Sequence, residues 1–309
     1  MSILSNLLKD VFAKGKHSGV STDDLSPSSV DPLIEQVNSK LSTGDIDGAE
    51  EIYNDAIELF PEDTSLRALR TEVEFLRCLT IVDKRFPGPN YLEWLKWFHA
   101  MLKPGNYLEI GVESGQSLQF TRAPTRAVGI DPAIQIVHPQ ENWVKLFKQT
   151  SDDFFATRDL QQVFGSKIIN LAFIDGLHTF DQALKDFINV ERFSDARSVV
   201  LFHDIFPVVP ATAQRNRTTR FWVGDTWKVM MILQEHRPDL KVFTIPTRPS
   251  GLGVVTGLNP ASTILRDGLE LICQQAMALE ITDYPEGLDE FLHETKNDFN
   301  AVARLLEIG

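Results

Sequence analysis

Residues 107–117 read YLEIGVESGQS, a short apolar strand that runs into an acid, Glu109, and then into a turn with two glycines and two serines. A strand buried on both faces needs no polar residue near its end, and a carboxylate there must find donors or face a positive charge. Gly111 permits a tight turn, and Gly115 lets the backbone approach a bound molecule, because neither carries a Cβ. The spacing is E-x-G-x-x-x-G-x-S. It differs from G-x-G-x-x-G, which sets a helix N-terminus against a pyrophosphate.

A phosphate-binding turn avoids acids, whereas a ligand with an ammonium, a sulfonium charge and ribose hydroxyls suits carboxylates at strand ends. Working outward, AVGIDPA (127–133) is a second apolar strand ending in an acid, Asp131. The next strand of a doubly wound sheet presents its carboxylate to a ribose at about this distance, roughly 20 residues on. These two motifs resemble the class I S-adenosylmethionine-dependent methyltransferases, over residues Phe86 to Thr256. The resemblance implies an α/β fold with a doubly wound, Rossmann-like sheet, mostly parallel with an antiparallel final strand. It implies S-adenosylmethionine as cofactor, bound by Glu109, Gly111, Glu113, Gly115, Ser117 and Asp131.

The chain has 309 residues, 43% of them hydrophobic, enough for one domain of ordinary size and a smaller one. A net charge of −13 opposes binding to nucleic acid or anionic lipid. No apolar run reaches the ~20 residues of a membrane span, and no secretory signal pattern opens the chain, so cytoplasmic residence is expected. The only cysteines, Cys78 and Cys273, show no metal or redox spacing and read as buried thiols.

Four segments follow from the pattern: a short amphipathic helix with a polar tail (1–29), a helical region (30–83), the sheet domain (84–258) and C-terminal helices (259–309). Within 30–63, Gly44, Ala49, Tyr53, Ala56 and Pro61 resemble the second half of a tetratricopeptide repeat. One repeat cannot bury its apolar face alone, so it packs on the rest of the chain or on a second copy in a homodimer. FPGPN (86–90) leads into a helix over 91–102 whose apolar stripe includes Tyr91, Trp94, Leu95 and Phe98, with His99 expected on the solvated side. After a third strand within 143–148, Ser151 and Asp152 either cap a helix or contact the adenine, as the resemblance suggests.

Two further strands carry the chemistry. KIINLAFIDGLHTF (167–180) ends in Asp175 with His178 three residues on, and RSVVLFHD (197–204) ends in His203 and Asp204. Parallel strands gather their C-terminal ends on one rim, so two carboxylates and two imidazoles should converge with Glu109 and Asp131. The set is similar to metal-dependent O-methyltransferases of small molecules and sugars. That likeness implies a divalent ion (magnesium or manganese) on Asp175 and Asp204, with His178 as the base and Asp175 also beside the cofactor. His203 stands where the family pattern has an acid; it is a third ligand, a second base, or the group that orients Asp204.

After Asp204, Arg215, Arg217, Arg220 and Lys228 lie among Phe221, Trp222 and Trp227. The arginines tie down the loop, or Arg220 and Trp222 bind the acceptor. Residues 241–247 and 251–258 read as an antiparallel hairpin closing the sheet, and the C-terminal helices are expected to pack on the N-terminal repeat. Three functions stay open: O-methylation of a small-molecule or glycan hydroxyl, NAD-dependent oxidoreduction, or a cofactor-binding interaction protein without turnover.

Overall fold

The computed structural model describes residues 30–140, 143–281 and 288–307. The amphipathic helix expected within 1–29 lies outside them. The chain divides into two compact units, one of residues up to Arg85 with Arg217–Trp222, the other of Phe86–Asn216 with the residues from Val223 on.

In the first unit, α1 (Asp31–Thr43), α2 (Ile46–Leu59) and α3 (Thr64–Arg85) follow one another. Gly44, at φ 78°, ends α1, and Asp45 caps α2 by accepting from the Gly48 amide. Val37, Leu41, Ala49, Tyr53, Ala56 and Leu66 are buried along these helices. Arg220 belongs to this unit, where its guanidinium pairs with Glu72 at 2.6 Å and lies over the Phe75 ring.

The second unit is built on a seven-stranded sheet in the order β3-β2-β1-β4-β5-β7-β6. The strands are β1 (Asn106–Ile110), β2 (Arg126–Ile130), β3 (Val144–Phe147), β4 (Leu171–Ile174), β5 (Val199–His203), β6 (Lys241–Ile245) and β7 (Leu252–Thr256). The first five pair in parallel, and β7 is antiparallel to both β5 and β6. This is the doubly wound sheet of the methyltransferase fold, and the order reverses between β1 and β4. Strands β1, β4 and β5 are buried at every position, as parallel strands covered on both faces must be.

Helix α4 (Tyr91–Leu102) is fixed at its start by a reciprocal capping box between Asn90 and Glu93 and stopped by Lys103 in the left-handed conformation. It buries Trp94, Leu95 and Phe98 against the sheet, where full burial of each contributes about 1.5–3 kcal/mol. His99 is buried too, contrary to the solvated position expected. Its ring packs edge-on to Tyr107 at 4.5 Å, and burial pushes its pKa down to about 4. Of the two thiols, Cys78 is buried as expected and Cys273 is only half-buried.

The remaining helices are α5 (Ser151–Thr157), α6 (Leu160–Phe164), α7 (Phe180–Glu191), α8 (Lys228–His236), α9 (Ile264–Met277), α10 (Leu288–Phe291) and α11 (Phe299–Leu305). The C-terminal residues pack within the sheet unit. Trp94 donates to Asn297 at 2.6 Å, and its ring packs at a tilt against Phe299 at 4.5 Å. The buried indole N–H requires an acceptor, and Asn297 supplies it.

Candidate active site

Register alone brings the strand-end acids together. Ile110 pairs with Ile130 on one side and Ile174 on the other, and Ile174 pairs with Phe202. The next residues, Gly111, Asp131, Asp175 and His203, therefore leave the sheet on one rim.

The β1 loop satisfies its own polar groups. Tyr107 and Glu109 share a face of β1, and the Tyr107 hydroxyl donates to Glu109 Oε2 at 2.6 Å. Ser117 donates to Oε1 at 2.6 Å, so the fully buried carboxyl has a partner on each oxygen. Burial pushes its pKa up to about 8 against these two hydrogen bonds. Gly111, at φ 90°, is demanded by close approach, since a Cβ there would lie 1.9 Å from the Asp175 carbonyl oxygen. Gly115 makes room for the chain's own Ile136 and Gln140, not for open ligand space. The backbone of 135–138 also binds this turn, with Gln135 N–H donating to Glu113 O and Val137 N–H to Ser114 O. Asp131 accepts from the amides of Glu113 and Ala133.

The rim of β4 and β5 is different. His178 Nδ1 lies 3.0 Å from Asp204 Oδ2 and its Nε2 3.5 Å from Asp175 Oδ1. His203 Nδ1 lies 3.2 Å from Asp175 Oδ1 and 3.5 Å from Asp204 Oδ1. Two carboxylates thus alternate with two imidazoles. Burial opposes charge on the two histidines, but the carboxylates overcome it, raising His178 to about 10 and His203 well above its ordinary value. Burial likewise works against both carboxylates, and the imidazoles hold Asp175 and Asp204 below the usual carboxylate value. His203 Nε2 is buried without a partner, and its ring packs at a tilt against Tyr91, centroids 4.3 Å apart.

The backbone is bent to reach this arrangement. His178 and Asp204 have φ of 59° and 57°, a region that side-chain-bearing residues occupy at a cost, and one found disproportionately at functional sites. Asp204 is braced from the turn between β6 and β7. Buried Ser250 donates its hydroxyl to Oδ1, while its carbonyl accepts from the amides of Ile205 and Phe206.

Asp175, His178 and Asp204 offer ligand atoms that all lie within 4.8 Å of one another, a two-oxygen, one-nitrogen set compatible with a divalent cation. His203, expected in that trio, instead faces both carboxylates through Nδ1, as a residue that orients them would. Thr150, not Ser151 or Asp152, caps α5, accepting from the Asp153 amide. Ser151 and Asp152 accept from Gln182 Nε2 at 3.2 and 3.1 Å, and the same amide reaches Asp186 at 3.1 Å. Burial drives Asp186 up to about 7. A small cavity of about 10 Å³, room for about one water, is bordered by Asp175, His178, Asp186 and His203.

Arg215 is held between Asp181 and Asp225, the tied-down arrangement. Trp222 is half-buried, with the Arg217 guanidinium 5.9 Å from its ring, and it belongs with Arg220 to the helical unit. Sequence reasoning missed Tyr91, Asp186, Ser250 and Asp225. Only the Gly224-Asp225 dipeptide carries a local signal, a turn in an otherwise apolar stretch.

Residues 108–205, from within β1 to just past β5, match the protein family described as a methyltransferase domain. No curated protein matches the chain significantly. Among solved structures, the chain is similar to an O-methyltransferase from Streptomyces achromogenes involved in tomaymycin synthesis, in complex with SAM. Identity is 15% and TM-score 0.42, with 55% of this chain and 80% of that one covered. It is also similar to an SAH-bound methyltransferase from Podospora anserina, at 18% identity, TM-score 0.41, and 60% and 87% coverage. A third is the O-methyltransferase from Bacillus cereus in complex with SAH, at 13%, 0.38, and 58% and 89%. Among the described residues no helix is long and apolar enough to cross a membrane.

Proposed function

We propose that the chain is an S-adenosylmethionine-dependent O-methyltransferase acting on a hydroxyl of a small molecule, sugar hydroxyls included, at the rim of β4 and β5. The observation that carries this reading is the alternating set of Asp175, His178, His203 and Asp204, set beside the Gly111 turn within the methyltransferase domain. S-adenosylmethionine supplies the methyl group, whose bond to sulfur breaks as the bond to the acceptor oxygen forms. Gly111 and Asp131 lie at the rim that would take its amino-acid and ribose ends, and Ser151 and Asp152 sit where the adenine would be received.

The residues present fit a divalent ion, which Asp175 and Asp204 would hold with His178 in reach; such an ion lowers the pKa of a bound hydroxyl. Two carboxylates can be balanced by imidazolium protons or by one divalent charge, so an ion held by Asp175 and Asp204 would displace those protons. His178 engages a carboxylate through each ring nitrogen, and it accepts the hydroxyl proton once those carboxylates are balanced otherwise.

Calorimetry with S-adenosylhomocysteine and with NAD, each with chelator and with manganese, tests the proposal. Binding of the homocysteine compound and not NAD is expected, with manganese uptake lost in Asp204→Asn. NAD binding in its place would overturn the reading.

A further inference from the structure

The loop after β5 returns to the sheet at Val223, Gly224 and Asp225, against the segment that presents His178. Gly224 has φ 67°, and a Cβ there would lie 1.9 Å from the His178 carbonyl oxygen, so the two backbones are in direct contact. Two residues past His178, helix α7 begins without a cap of its own, since the Thr179 side chain makes no capping hydrogen bond. Asp225, 45 positions away, supplies it, with Oδ1 accepting from the Phe180 amide at 3.0 Å. Asp225 is 2% exposed, and its other oxygen is paired with Arg215 at 3.4 Å and Lys228 at 3.7 Å. Arg215 also holds Asp181 at 2.9 Å, and both cations lie over the Phe180 ring. One buried carboxylate therefore fastens the returning loop, the start of α8 and the first turn of α7 to one another, with the left-handed His178 next to the joint.

We propose that Asp225, with Gly224 beside it, is a positioning residue that keeps His178 in its left-handed conformation between Asp175 and Asp204. The inference rests on the reading of that rim as the site of methyl transfer. The Gly224 backbone contact and the Asp225 cap on the Phe180 amide thus reach the His178 segment from a loop distant in sequence.

The test uses the full chain with Asp225→Ala, Asp225→Asn and Gly224→Ala. The His178 imidazole is followed by its proton–nitrogen correlations, assigned through His178→Gln, and affinity for manganese and for S-adenosylhomocysteine is measured by calorimetry. Asp225→Ala should move the His178 resonances toward those of an exposed histidine and weaken manganese binding by about tenfold to a hundredfold, leaving S-adenosylhomocysteine affinity unchanged. Asp225→Asn keeps an acceptor for the Phe180 amide and should recover the His178 resonances. Folded Asp225→Ala with unmoved His178 resonances overturns the proposal, as does a loss confined to thermal stability. If Asp225→Ala does not fold, Gly224→Ala decides by the same resonances. A wild-type chain that binds neither manganese nor S-adenosylhomocysteine would refute the methyl-transfer reading, while the resonance comparison would still judge the role of Asp225.

Discussion

Two stretches of the same rim, both built from a parallel strand that delivers a carboxylate, end in opposite electrostatic conditions. At β1, Glu109 is fully buried with a neutral hydroxyl on each oxygen, and burial lifts its pKa to about 8. At β4 and β5, the imidazoles hold Asp175 and Asp204 low, and the carboxylates in turn raise the pKa of both imidazoles. The β1 carboxyl, its pKa lifted by burial, serves as a brace that accepts from Tyr107 and Ser117 and fixes the turn. The β4–β5 carboxylates are charged and paired with groups that can exchange protons. Environments that push like groups apart in pKa separate scaffold from chemistry, and here the separation runs between neighbouring strands.

The comparison breaks most violently at Gly111. Gly111→Ala should destabilise the fold by more than about 3 kcal/mol in urea titration, because both φ and the Asp175 carbonyl oppose the new Cβ. A tolerated alanine would show that the two regions are not locked together. Next in size, His178→Ala should lower methyl transfer to an identified acceptor by about 10²–10⁴-fold with the fold intact. An unchanged rate would move the chemistry elsewhere.

The buried brace is sharpened by pH. Glu109 has its folded pKa raised from 4.5 to about 8, so its contribution to stability is full below the unfolded value and is lost as pH rises toward the folded one. Unfolding free energies from urea titrations between pH 5 and 8 should fall by up to about 1.4 kcal/mol per pH unit from this group, and Glu109→Gln should remove that slope. A slope retained in Glu109→Gln would mean another group carries it. Smallest is Tyr107→Phe, which strips one donor from the buried carboxyl and should cost about 1–3 kcal/mol without affecting manganese binding.

The strands that place the site were legible as short apolar runs meeting an acid: β2, β4 and β5 end one residue before Asp131, Asp175 and Asp204, while β1 runs one residue past Glu109. Glycine meaning was only half legible. Gly111 serves the tight turn read from the sequence, but Gly115 is filled by Ile136 and Gln140, and nothing near Gly115 in the sequence announces which residues will arrive. His99 was misplaced because periodicity along one helix does not show that Tyr107 lies across from it. The Asp225 cap of α7 and the Ser250 brace on Asp204 were illegible for the same reason. Their partners are 45 and 46 positions away, joined by loop closure and not by any local period.

Strand order also dictates when the candidate rim can exist during synthesis. The outer edge of β5 is matched only by β7, which leaves the ribosome about fifty residues later, while β6, made first, sits outside it. Until residues 250–256 emerge, β5 presents an open ladder of apolar strand and Asp204 lacks its Ser250 donor. Chains shortened before that point would leave the β5 edge open and should be less soluble than the full chain.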